Sequence, residues 1–184
     1  MEKLKKHLRN KYNLTNYQIA QIFFLFKTLL SELSKMLIMG LLFHKHFFVY
    51  CFALFIMIFL RTTTGGLHFY TYWGCLLMSV AYMGLSIVIL PMISVPLPVK
   101  LCLLICAIII CHVVGPITSK YRPVNPPAQI QFLQKICIFT IFIFSIALYI
   151  IPENAYMTAG FWVIILHSLQ LIAGKIKKKG DTKE

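Results

Sequence analysis

Two side chains in this sequence could carry out nucleophilic acyl transfer together: His68 and Cys75. A thiolate attacks a carbonyl carbon, while an imidazole removes the thiol proton and later returns it to the leaving amine. Both lie in the segment Arg61–Cys75, RTTTGGLHFYTYWGC, which also holds three threonines in a row, the pair Gly65–Gly66 and Thr71. Long apolar runs border it on both sides, and polar residues at such an edge are costly enough to mark a site. Each residue also has a plainer reading. Arg61 would serve as an anchor at a membrane surface, His68 as an interfacial side chain, Cys75 as packing, and the glycine pair as a point of close helix approach.

Spacing constrains the chemistry. Positions 68 and 75 are two helical turns apart, about 10.5 Å along a continuous helix, which is beyond hydrogen-bond reach. The segment must therefore bend, and Gly65, Gly66 and Gly74 are where it can. The expected geometry has Gly74 ending an irregular stretch and Cys75 starting the next helix. There the helix dipole and free N–H groups would favour the thiolate and hold the oxyanion of a tetrahedral intermediate.

The elements that must position this segment read as membrane helices. Of 184 residues, 59% are hydrophobic and 12% charged, and mean hydropathy is +0.80, well outside the usual soluble range. The fold class is an all-α polytopic membrane protein of about six helices, forming a single membrane domain over residues 1–184. Helices are expected over about 17–43, 47–60, 76–93, 99–114, 136–151 and 155–173. Residues 1–16 form a basic start, 61–75 the polar segment, 118–135 a polar, Pro-rich loop, and 174–184 a basic tail. The first helix contains Lys27, Glu32 and Lys35, so it is read as tilted, interfacial or packed against other helices. Glu32 is either an orienting group for His68 or the partner of Lys35 or Lys27. The basic start is not followed by a short apolar core and a small-residue cleavage site, so no cleavable signal peptide is expected.

A net charge of +13 would suggest nucleic acid, but the charge sits at chain ends and in loops beside apolar spans, where it orients a membrane protein. With six crossings and a cytosolic N-terminus, most basic residues outside the first helix fall on the inner side, together with the 61–75 segment. Lys45, Lys100 and the Glu153 turn fall on the outer side. Five of the six cysteines (Cys51, Cys102, Cys106, Cys111 and Cys137) lie in apolar runs and read as packing. Cys102, Cys106 and Cys111 with His112 have loose metal-ligand spacing, but packing is the favoured reading, and no metal or cofactor is expected.

The run R-T-x-x-G-G-x-H-x(6)-C, Arg61 through Cys75, resembles the signature of the accessory gene regulator protein B (AgrB) family. Downstream, Tyr121-Arg122-Pro123-Val124-Asn125-Pro126 resembles the family's cytosolic aromatic-x-Pro-Val loop, with Pro127, Ala128 and Gln129 where basic residues often follow. The resemblance implies a membrane endopeptidase of the bacterial cytoplasmic membrane, with its active site towards the cytosol. Such an enzyme trims an AgrD-type propeptide and helps close a thiolactone or lactone ring. Carried over by position, Cys75 is the nucleophile and His68 the base, with Arg61, Gly65 and Gly66 in support. Lys120, Arg122 and Lys135 become candidates for binding an acidic propeptide tail, and the implied partners are the propeptide, membrane lipid and a second copy of the chain. Two rival classes remain at this level: a small transporter or channel, which needs polar groups along facing helices near mid-bilayer, and a non-catalytic membrane scaffold.

Overall fold

A computed structural model describes residues 15–66, 71–116 and 126–180. Six α-helices run through the described residues: α1 (Asn16–Leu42), α2 (Phe47–Thr64), α3 (Tyr72–Gly84), α4 (Leu97–Val114), α5 (Pro127–Ile150) and α6 (Ala155–Gly180). A bilayer offers backbone groups no water, so apolar runs of this length satisfy their N–H and C=O groups as helices. Five stretches are long and apolar enough to cross: His44–Thr64, Tyr72–Met92, Leu97–Val114, Ala128–Ile150 and Ala155–Ile176. They belong to a compact unit that begins at Phe43.

The α1 helix lies in a separate unit ending at Leu42 and is not one of the five stretches. Its start is capped reciprocally: the Gln18 N–H donates to the Thr15 hydroxyl at 3.3 Å, and the Thr15 N–H donates back to the Gln18 side chain at 2.9 Å. Glu32 and Lys35 form an ion pair on this helix.

Within the larger unit, α6 is the most buried of the five stretches and packs against α2, α4 and the far end of α3. Phe161, Val163 and Leu171 on α6 are completely buried. Helices α2, α5 and α6 meet closely at Gly160, where a Cβ would lie 2.7 Å from the Phe144 ring and 3.0 Å from Ile56. The α3 helix continues through a π-turn at Leu85–Ile89 and a 3₁₀ turn at Leu90–Met92. The Ser86 hydroxyl bonds back to the Tyr82 carbonyl at 2.9 Å, and Pro91 follows, which lacks an N–H and cannot continue the ladder.

Several expected boundaries shift. The α2 helix extends to Thr64, so Arg61 and the three threonines belong to its last turn and not to an irregular segment. The threonines tolerate this because their hydroxyls donate to carbonyls one turn back, Thr62 and Thr63 to Phe59 and Thr64 to Leu60. The α3 helix starts four residues earlier than expected, and α5 starts at Pro127, where a proline suits the first turn. The loop expected over 118–135 therefore gives up its last nine residues to α5, and Lys135 is an exposed helical residue.

At the end of the bundle away from Arg61, Lys100 is almost wholly buried and hydrogen-bonds the exposed carboxylate of Glu153, which also accepts from the Thr158 hydroxyl at 3.3 Å. The hydrogen bond from Lys100 holds Glu153 below the ordinary carboxylate range.

Gly160→Ala should cost about 1–3 kcal/mol through overpacking, read as a lower unfolding temperature of the purified protein in detergent. Because Glu153 is held below its unfolded value of 4.5, its contribution is present above that pH and is lost as pH falls through the folded value. Lowering pH from ~6 to ~3 should thus destabilise wild type more than Glu153→Gln, and equal losses would contradict the assignment.

Candidate functional site

The polar segment of the sequence resolves into two helix ends and a link. The last turn of α2 carries Arg61 through Thr64, and the first turn of α3 carries Tyr72 through Cys75. Residues 65–71 join them, and His68 lies outside the described residues. Gly65 terminates α2 with φ of 79°, a backbone conformation that only glycine adopts without strain, and its N–H bonds the Arg61 carbonyl at 3.0 Å. Gly66 is buried, and a Cβ there would lie 3.4 Å from Arg61 Nε and 3.9 Å from Gln170 Oε1.

Cys75 is half-buried in the first turn of α3. Thr71, extended at φ −96° and ψ 144°, caps that helix by accepting the Gly74 N–H on its hydroxyl at 3.2 Å. The Thr71 carbonyl takes the Cys75 N–H at 3.1 Å. Cys75 is therefore not the first residue of the helix, and its own N–H and that of Gly74 are already committed.

A polar cluster that the sequence reading missed lies on α6. His167 is completely buried and Gln170 is 6% exposed. His167 Nε2 is 2.7 Å from the Thr64 hydroxyl, whose single hydrogen goes to the Leu60 carbonyl at 2.8 Å. The imidazole must then donate from Nε2, which leaves Nδ1 as an acceptor with no partner. Arg61 reaches Gln170 Oε1 at 3.4 Å through a terminal guanidinium nitrogen, while Arg61 Nε and Gln170 Nε2 are buried donors without partners. The available signal was His167, Ser168 and Gln170 interrupting an otherwise apolar helix, where polar residues inside a span mark function or interhelix bonding.

The same end of the bundle collects further polar groups. Gln134 of α5 donates to the Cys111 and His112 carbonyls at 3.1 and 2.6 Å. Lys175 of α6 donates to the Val113 carbonyl at 3.3 Å, so the open end of α4 is capped by two neighbouring helices. Lys120 and Arg122 lie outside the described residues. Cys102 and Cys106 are exposed on α4, whereas Cys111 on α4 and Cys137 on α5 are buried. Among the described residues, no three His, Cys, Asp or Glu side chains group as a metal site would need.

Helices that cross, with polar groups gathered at one end around a capped helix start bearing a cysteine, define a polytopic membrane protein with an edge site. The accessory gene regulator B family model matches residues 1–171, and the chain belongs to that family. Membership places it in maturation of the autoinducing peptide of this quorum-sensing system, with a propeptide as substrate and the membrane as setting. No curated protein and no solved structure gave a match.

Thr64→Val and His167→Phe each leave one buried polar partner behind and should cost about 1–3 kcal/mol apiece. The double variant should cost less than the sum of the two, measured by unfolding in detergent, and strict additivity would show that the two groups are not coupled.

Proposed function

We propose that this protein is a membrane cysteine endopeptidase that cleaves an AgrD-type propeptide through Cys75 and His68 and releases the remainder as a thiolactone or lactone. The observation that carries the reading is the placement of Cys75, half-buried in the first turn of a Thr71-capped helix at the polar end of a transmembrane bundle. A thiol there meets the positive end of the helix dipole and lies within reach of a substrate at the membrane surface. His68 lies in the sequence between Gly65, which ends α2, and Thr71, which caps α3, seven positions before Cys75.

The reaction proceeds in two acyl transfers. His68 takes the Cys75 proton, and the thiolate attacks the scissile carbonyl carbon. The tetrahedral intermediate expels the C-terminal fragment as an amine, which receives the proton from His68. The N-terminal part is left as a thioester on Cys75. A Cys thiol or Ser hydroxyl within that acyl peptide then attacks the thioester carbonyl, closes the ring and returns the Cys75 thiol. Exchange of thioester for thiolactone gains little energy, so yield depends on excluding water, and a site at the bilayer edge does so.

The basic groups at this end support a cytosolic location by the positive-inside rule: Arg61, Lys135, Lys175 and the lysines that follow. The transporter reading is weakened by the middle of α6, where the apolar side chains of Phe161, Val163 and Ile164 are at most 1% exposed.

Co-expression with a tagged AgrD-type propeptide from the same genome tests the assignment, at matched membrane levels of each variant. Wild type should release the C-terminal fragment, whereas Cys75→Ala and His68→Ala should lower release by at least about 100-fold, as expected for loss of a nucleophile or base. Cleavage by Cys75→Ala at the wild-type rate would falsify the nucleophile assignment.

A further inference from the structure

A groove of about 270 Å³ runs between α3 and α6, lined by Met78, Ala81 and Tyr82 on one wall and Leu169, Gln170 and Ala173 on the other. Its two walls are fastened by the Tyr82 hydroxyl, which donates to the Val163 carbonyl at 2.5 Å. Three features set it apart from an ordinary gap between membrane helices. First, Cys75, Met78 and Tyr82 follow each other at three- and four-residue steps, so they form one stripe along α3. The groove therefore ends one helical turn from the nucleophile. Second, its lining is apolar apart from the Tyr82 hydroxyl, which is committed to Val163, and Gln170, whose amide nitrogen is shielded and lacks a partner. Third, Gln170 accepts from Arg61, and its Oε1 lies 3.9 Å from where a Cβ on Gly66 would sit, so the groove abuts the end of α2 where the link to α3 begins.

A lipid chain would fill such a groove but has nothing to offer the Gln170 donor. An extended peptide offers apolar side chains and a carbonyl oxygen at every residue. We propose that this groove seats the apolar propeptide residues adjoining the scissile bond, and that Gln170 donates a hydrogen bond to one of their main-chain carbonyls while Arg61 positions the amide. Gln170 thereby supplies a substrate donor beside the site, where the Gly74 and Cys75 N–H groups are spent on the helix cap. The inference rests on the peptidase reading and extends it to the substrate seat.

Ala81 and Ala173 are both exposed on the groove walls, so Ala81→Phe and Ala173→Phe fill the groove without entering the core. With full-length protein in membranes and the AgrD-type propeptide of the same genome, each should raise the KM for cleavage about tenfold with kcat within about twofold. Gln170→Met should raise KM by a similar factor, with Gln170→Asn intermediate, and combining Gln170→Met with Ala81→Phe should fall short of the product of the two effects. A photoreactive benzophenone amino acid in place of Leu169, in a Cys75→Ala background, should cross-link the uncleaved propeptide. The same group in place of exposed Phe142 on α5 should not. If wild type cleaves the propeptide while the groove variants match it, or if the Leu169 probe captures only lipid or a second copy of the chain, the seat is wrong and the peptidase reading stands. If wild type cleaves nothing, both fall.

Discussion

The link between the end of α2 and the buried helix α6 is the interaction on which the site depends. A guanidinium, an imidazole and a side-chain amide inside an apolar bundle can persist only if they meet one another. Arg61 with Gln170, and Thr64 with His167, are those meetings. They lie on the last turn of α2, just before Gly65 turns the chain towards α3. The partnership is incomplete, since one nitrogen each on Arg61, His167 and Gln170 stays buried and unpaired. Buried groups in this condition are uncommon in folded proteins and collect at working sites.

The two ends of the bundle divide their labour. At one, Lys100 and Glu153 close the fold beside the short turn before α6. At the other, backbone carbonyls of α4 are taken up by Gln134 and Lys175, and the first turn of α3 is taken up by Thr71. The link from α2 to α3 is bounded by Gly65, whose N–H bonds the Arg61 carbonyl, and by Thr71, whose hydroxyl caps α3. The close three-helix contact at Gly160 lies between these ends and keeps the apolar middle shut.

Much of this was legible in the sequence, for physical reasons that differ by element. Long apolar runs admit only helices in a bilayer, so α4, whose one charge before His112 is Lys100 in its first turn, was placed to within two residues. Helix ends were harder wherever polar residues are helical. Arg61 through Thr64 read as loop because threonine is a poor helix former in water, yet here each hydroxyl is bonded back into the helix. Pro127 through Lys135 read as loop because its glutamines look soluble, although Gln134 is the residue that caps α4. Cys75 and its segment stood out by type and by the family signature. His167 and Gln170 did not, because no sequence spacing connects them to Arg61, more than a hundred positions away, and only packing of α6 against α2 brings them together.

The central claim is a covalent acyl-enzyme on Cys75, and it can be seen directly. A propeptide in which the ring-closing Cys or Ser is replaced by Ala should stall after the first transfer. Intact-mass analysis of the purified protein should then show the N-terminal propeptide fragment attached to it, with fragmentation mapping the attachment to Cys75 and hydroxylamine releasing it. Release of the C-terminal fragment with no adduct on Cys75 would contradict the mechanism and point to direct hydrolysis by another group.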